Sequence, residues 1–118
     1  MSQDFEENII IKFPCIKDSR GDLTFLEGEN HIPFQIKRVY YLYNVPVNSK
    51  RGGHAHKKLN QVIFALSGSF RLTLDNGNMK KEFWLRDPTE GIFINQMTWR
   101  ELDCFSQSSV AMVLASRP

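Results

Sequence analysis

An all-β fold, a sandwich or barrel built as one domain over residues 1–118, is predicted by three features of this sequence. Short runs rich in β-branched and aromatic residues recur along it, turn-forming clusters separate them, and no stretch of ten or more residues carries a helical period. The strand candidates are, in order, Ile9 to Phe13, Leu23 to Leu26, Ile36 to Tyr43, Gln61 to Leu66, Phe70 to Leu74, Lys81 to Leu85, Gly91 to Ile94 and Ser109 to Leu114.

Each run has a local reason. Ile9-Ile10-Ile11 is β-branched, and Leu23-Thr24-Phe25-Leu26 follows the turn signal Ser19-Arg20-Gly21-Asp22. Val39-Tyr40-Tyr41 supplies a β-branched and two aromatic residues, and Val62 to Leu66 is an uninterrupted apolar run ending at Ser67-Gly68. Phe70-Arg71-Leu72-Thr73-Leu74 alternates, and Asp75-Asn76-Gly77-Asn78 after it is a hairpin signal, since Asn and Gly tolerate positive φ. Phe83-Trp84-Leu85 leads into the turn Asp87-Pro88-Thr89-Glu90-Gly91, after which Ile92-Phe93-Ile94 and Val110 to Leu114 complete the set.

Composition narrows the function classes. With 118 residues, 42% hydrophobic and 24% charged, the chain makes one soluble globular domain. A formal net charge of +2 offers no broad basic face for nucleic acid, although scattered arginines could converge on a small phosphorylated metabolite. No apolar run nears the roughly 20 residues of a membrane helix. Cys15 and Cys104 sit in no CxxC motif and the acidic start lacks a signal peptide's pattern, so a reducing, cytoplasmic setting is expected.

The chemistry-bearing segment is Arg51-Gly52-Gly53-His54-Ala55-His56. On a strand, alternate side chains share a face, so His54 and His56 would project into one cavity. Two imidazoles there suit either a metal or acid-base work, because an unperturbed pKa near 6.5 keeps both protonation states accessible. On the preceding strand Arg38 and Tyr40 also share a face, as a polar ligand-facing surface or as a solvated outer one.

The spacing His54-x-His56-x4-Gln61-x6-Gly68 resembles the first motif of the cupin superfamily, whose members are RmlC-like jelly-roll barrels, also described as double-stranded β-helices. Metal-binding cupins place Glu where this chain has Gln61 and a His near Arg100. An amide is a poor replacement for a carboxylate on a divalent cation and a guanidinium repels one, so no metal and no cofactor are expected.

The wider set Asp18-Ser19-Arg20-Gly21, Lys37 to Tyr41, Arg51 to Lys57, Leu66 to Ser69, Trp99 to Leu102 and Val113 to Ser116 resembles the cupin-type nucleotide-sugar 3,4-ketoisomerases, also labelled WxcM-like. That resemblance implies a dTDP-4-keto-6-deoxyglucose substrate, transfer of its ketone from C4 to C3, and a place in bacterial surface-glycan synthesis. It makes His54, His56 and Tyr40 the catalytic candidates and Arg51, Arg38, Arg20 and Arg100 the substrate-binding ones, with Arg20 reaching the nucleotide from a partner subunit. It also implies a homodimer with exchanged N-terminal strands. Two alternatives stand beside it, a dTDP-sugar 3,5-epimerase and a sugar-nucleotide-binding cupin without turnover; bound metal would favour a third, a metal-dependent cupin enzyme.

Overall fold

The computed structural model describes residues 9–55 and 58–118 and contains eleven strands. They are β1 (Ile10–Lys12), β2 (Cys15–Asp18), β3 (Gly21–Thr24), β4 (Arg38–Leu42), β5 (Arg51–His54), β6 (Gln61–Ser67), β7 (Phe70–Asp75), β8 (Lys80–Leu85), β9 (Glu90–Ile94), β10 (Trp99–Asp103) and β11 (Val110–Ala115). A five-stranded sheet in the order β1-β9-β6-β11-β4 faces a four-stranded sheet in the order β5-β10-β7-β8, and β2-β3 forms a separate hairpin. All pairings between these strands are antiparallel. No helix among the described residues is long and apolar enough to cross a membrane.

Two apolar clusters explain the strand patterns. Between the sheets lie Ile63, Ala65, Ile92, Ile94, Ala111 and Val113 from the larger one and Leu72, Leu74, Leu85 and Leu102 from the smaller. On the far side of the larger sheet Val62, Phe64 and Leu114 pack with Phe13 and Ile32, partly covered by Leu26, Phe34 and Ile36. Phe13 meets Phe64 edge-on at 5.1 Å between ring centres. The middle strand β6 is thus covered on both faces, and Gln61 to Ala65 are all buried. That double burial is why its sequence is a continuous apolar run instead of an alternating one.

Turn chemistry sets the β7–β8 hairpin. Asp75 accepts from the Gly77 amide at 2.8 Å, Asn76 accepts from Asn78 and Met79, and Gly77 takes φ 93°. The Ser19 to Asp22 turn joins β2 to β3, so Leu23 pairs with Ile16. Three strands fall outside the apolar runs in the sequence: β2, β5 and β10 are short and charged or glycine-rich, and cross-strand partners hold them in place of a local apolar pattern.

Candidate active site

Register decides which side chains face the space between the sheets. Directly opposed residues of an antiparallel ladder point to one face, and along β4, β11 and β6 the opposed rows are Arg38, Ala115, Gln61 and Tyr40, Val113, Ile63. Val113 and Ile63 belong to the inter-sheet core, so Tyr40, Arg38 and Gln61 face inward. The register turns this face toward the space between the sheets and not to the outer surface. Val39 and Tyr41 point to the opposite face and are exposed.

On the smaller sheet a glycine pair resets the alternation. Leu102 lies opposite Arg51 and Arg100 opposite His54, with a register shift between Arg100 and Glu101. Gly52 and Gly53 take φ 88° and 79°, a left-handed conformation that side chains resist. A Cβ on Gly52 would lie 2.9 Å from the Arg100 carbonyl oxygen, so close strand approach excludes any larger residue. The bulge places Arg51 and His54, three residues apart, on the inward face together. Strand β5 ends at His54, and His56 lies outside the described residues.

His54 and Arg100 are opposed across the ladder. His54 is exposed, whereas Arg100 is 2% exposed, a cation deep between the sheets. The guanidinium donates from one terminal nitrogen to the Thr98 carbonyl at 2.8 Å and from the other to Gln61 Oε1. Gln61, 1% exposed, donates in turn from Nε2 to the Tyr40 hydroxyl oxygen at 3.0 Å. The Arg100, Gln61 and Tyr40 side chains therefore form one chain of hydrogen bonds from the smaller sheet to the larger. Position 61 is fixed at the strand start, where the Asn60 amide donates to the Ser116 hydroxyl and the Ser116 amide to the Asn60 carbonyl.

Electrostatically, Arg100 is the unusual member. It forms no ion pair with a carboxylate among the described residues, and its Nε is buried without a partner there. Burial pushes its pKa down to about 10, partly offset by the nearby Tyr40, so it stays charged at neutral pH.

The predicted residues thus divide. Arg38 and Tyr40 on β4, Arg51 and His54 on β5, and Arg100 on β10 all face inward. Arg100, a substrate-binding candidate from the resemblance, is enclosed and hydrogen-bonded. Arg20 stands apart at the tip of the β2–β3 hairpin, 2.8 Å from Asp18 and largely solvated. That hairpin overlies the outer face of the larger sheet, where Lys17, Asp22, Val39, Phe64 and Met112 line a cavity of about 920 Å³. Gln61, considered in the sequence only as a poor metal ligand, sits at the centre of the hydrogen-bonded chain. Its period-two spacing from Ile63 and Ala65 is the signal that it faces inward.

The family model FdtA, described as WxcM-like, C-terminal, matches residues 6–118. A TDP-4-oxo-6-deoxy-α-D-glucose 3,4-oxoisomerase from Aneurinibacillus thermoaerophilus is 47% identical over 110 residues, covering 93% of this chain and 79% of the relative. A crystal structure of a mutant 3,4-ketoisomerase QdtA from Thermoanaerobacterium thermosaccharolyticum, in complex with TDP-4-keto-6-deoxyglucose, superimposes with a TM-score of 0.90 at 43% identity, covering 92% of this chain and 79% of that one. The rmlC epimerase of Mycobacterium tuberculosis shares the fold alone, with a TM-score of 0.77 at 16% identity, covering 92% of this chain and 62% of that one. The fold is the RmlC-like cupin barrel, and the chain belongs to the WxcM-like FdtA family of cupin-type sugar 3,4-ketoisomerases.

Proposed function

We propose that this protein is an isomerase that converts dTDP-4-keto-6-deoxyglucose to a dTDP-3-keto-6-deoxyhexose by proton transfer between side chains and sugar. The observation that carries this reading is the inward convergence of His54, Tyr40, Arg38 and Arg51 in a chain 47% identical to a 3,4-oxoisomerase. The epimerase alternative has only the fold behind it, at 16% identity.

The chemistry then follows from the groups present. The C4 ketone acidifies the C3 proton, and neutral His54 takes it; the C–H electron pair becomes the C3–C4 double bond and negative charge develops on O4. Tyr40 donates a hydrogen bond or its proton to that oxygen, and the Arg100 charge behind it supports the anion. The resulting enediol loses its O3 proton and gains one at C4, leaving the ketone at C3 with atoms and charge balanced. His56 is assigned to relaying protons between the two oxygens. Arg38 and Arg51 pair with the diphosphate through their planar forks.

Incubating the protein with dTDP-4-keto-6-deoxyglucose in deuterated water tests the assignment by NMR. A 3-keto product supports it, whereas exchange at C5 without that product would show an epimerase. Nucleotide binding with no exchange at all would show a non-catalytic domain.

We also propose a homodimer in a cytoplasmic setting. The outer face of the larger sheet exposes Val39, Tyr41, Tyr43 and Leu66, an apolar surface of the kind that association covers. In this arrangement N-terminal strands pass between subunits and Arg20 reaches the partner's nucleotide. β1 pairs with β9 of its own chain here, so exchange replaces that pairing by the equivalent one in the partner. Sedimentation velocity reads the outcome directly: twice the chain mass of 13.7 kDa supports it, and a monomer at all concentrations refutes it.

A further inference from the structure

We infer that Gln61 and Arg100 are positioning residues that fix the direction in which the Tyr40 hydroxyl proton points. The inference deepens the ketoisomerase reading, which supplies the use of that proton.

The argument is one of donors and acceptors. A guanidinium has five N–H donors and no acceptor, so the Gln61 group facing Arg100 must be the amide oxygen. The amide nitrogen is thereby turned toward Tyr40, and the phenol oxygen accepts from it at 3.0 Å. An oxygen that accepts there cannot also donate there, so the hydroxyl hydrogen is directed away from Gln61. Tyr40 as a residue is 36% exposed, which leaves it accessible to a ligand that could take that hydrogen.

A carboxylate at position 61 would do the opposite. It would neutralise the buried guanidinium, yet it would accept from Arg100 and Tyr40 alike and draw the phenol's proton inward. The neutral amide leaves Arg100 without a counter-charge among the described residues, an electrostatically costly arrangement inside a protein. It keeps Tyr40 a donor toward the sugar oxygen on which negative charge develops.

The Gln61→Glu variant nearly preserves shape and tests this. Its turnover should fall about 100-fold or more, as for losing a positioned acid, with KM changed less than about 3-fold and a Tm no lower than wild type. Tyr40→Phe should lose a similar amount, and the double variant should be no slower than the worse single one. Turnover of Gln61→Glu within about 3-fold of wild type, or losses that multiply in the double variant, would overturn the inference.

A measurement without substrate keeps the two readings apart. In ¹⁵N-labelled wild-type protein the Gln61 side-chain amide, assigned by its disappearance in Gln61→Glu or Gln61→Met, should exchange slowly with water and shift in Tyr40→Phe. Fast exchange and an unmoved resonance would refute the hydrogen-bonded chain. If the wild type gives no 3-keto product, the ketoisomerase reading falls and this amide signal decides the positioning role by itself.

Discussion

Arg71 and Arg100 lie on the neighbouring strands β7 and β10 of one sheet and are treated in opposite ways. Arg71 faces outward, where it holds Asp103 with both forks at 2.8 and 2.7 Å, lies 3.5 Å from Glu82 and stacks over Trp84 at 5.9 Å. Arg100 faces inward, opposite Leu74, with an amide and a carbonyl as its partners and no carboxylate among the described residues. One cation is neutralised where strands need joining. The other, without a carboxylate partner among the described residues, lies beside the position where the proposed reaction creates negative charge, and the low dielectric of the interior strengthens its field there. The contrast separates a guanidinium that supports the sheet from one to which the proposed reaction gives a chemical role.

The largest test of that division is at His54, the inward neighbour of Arg100. His54→Ala should lose turnover by at least ~100-fold while still binding dTDP, as expected for deletion of a general base. Stopped assays with calorimetric dTDP titration check both halves, and near-wild-type turnover would remove His54 from the base role. A smaller effect is expected at Arg38. Arg38→Ala should raise the substrate KM by about 10-fold, the size of one lost charge-assisted hydrogen bond, with turnover nearly kept. An unaltered KM would take Arg38 out of diphosphate binding.

Much of this arrangement is legible in the sequence, for reasons that differ by element. The apolar run Val62 to Leu66 and the Asp75 to Asn78 turn are local signals, and both elements are where they place them. β10 was not legible, because Trp99-Arg100-Glu101-Leu102-Asp103 carries no apolar run and is held by pairing with β5 and β7. Period-two reading links His54 with His56, which lies outside the described residues, and does not foresee that the glycine bulge brings Arg51 onto the face of His54. Composition gives no warning of that reset, since it depends on the Arg100 carbonyl approaching Gly52. The burial of Arg100 and its bond to Gln61 join residues 39 apart from different sheets, a contact created only when the sheets pack.

The smallest expected effect is on the outward arginine. Asp103→Asn should lower Tm by about 2–5 °C at pH 7 and leave turnover unchanged, because a partly buried, bidentate pair contributes modestly to stability and touches none of the inward groups. The pH dependence identifies the cause. Hydrogen bonding to Arg71 holds the Asp103 carboxyl below its ordinary value, so its contribution is complete above the unfolded carboxylate pKa near 3.9 and is lost as pH falls through the lower folded value. Asparagine has no such titration. The Tm gap between wild type and Asp103→Asn should therefore be widest at neutral pH and narrow once acid protonates Asp103. A gap that stays constant from neutral to strongly acidic pH would mean that the ion pair is not what Arg71 contributes, and an Asp103→Asn enzyme with reduced turnover would mean that the two arginines are not separated in function.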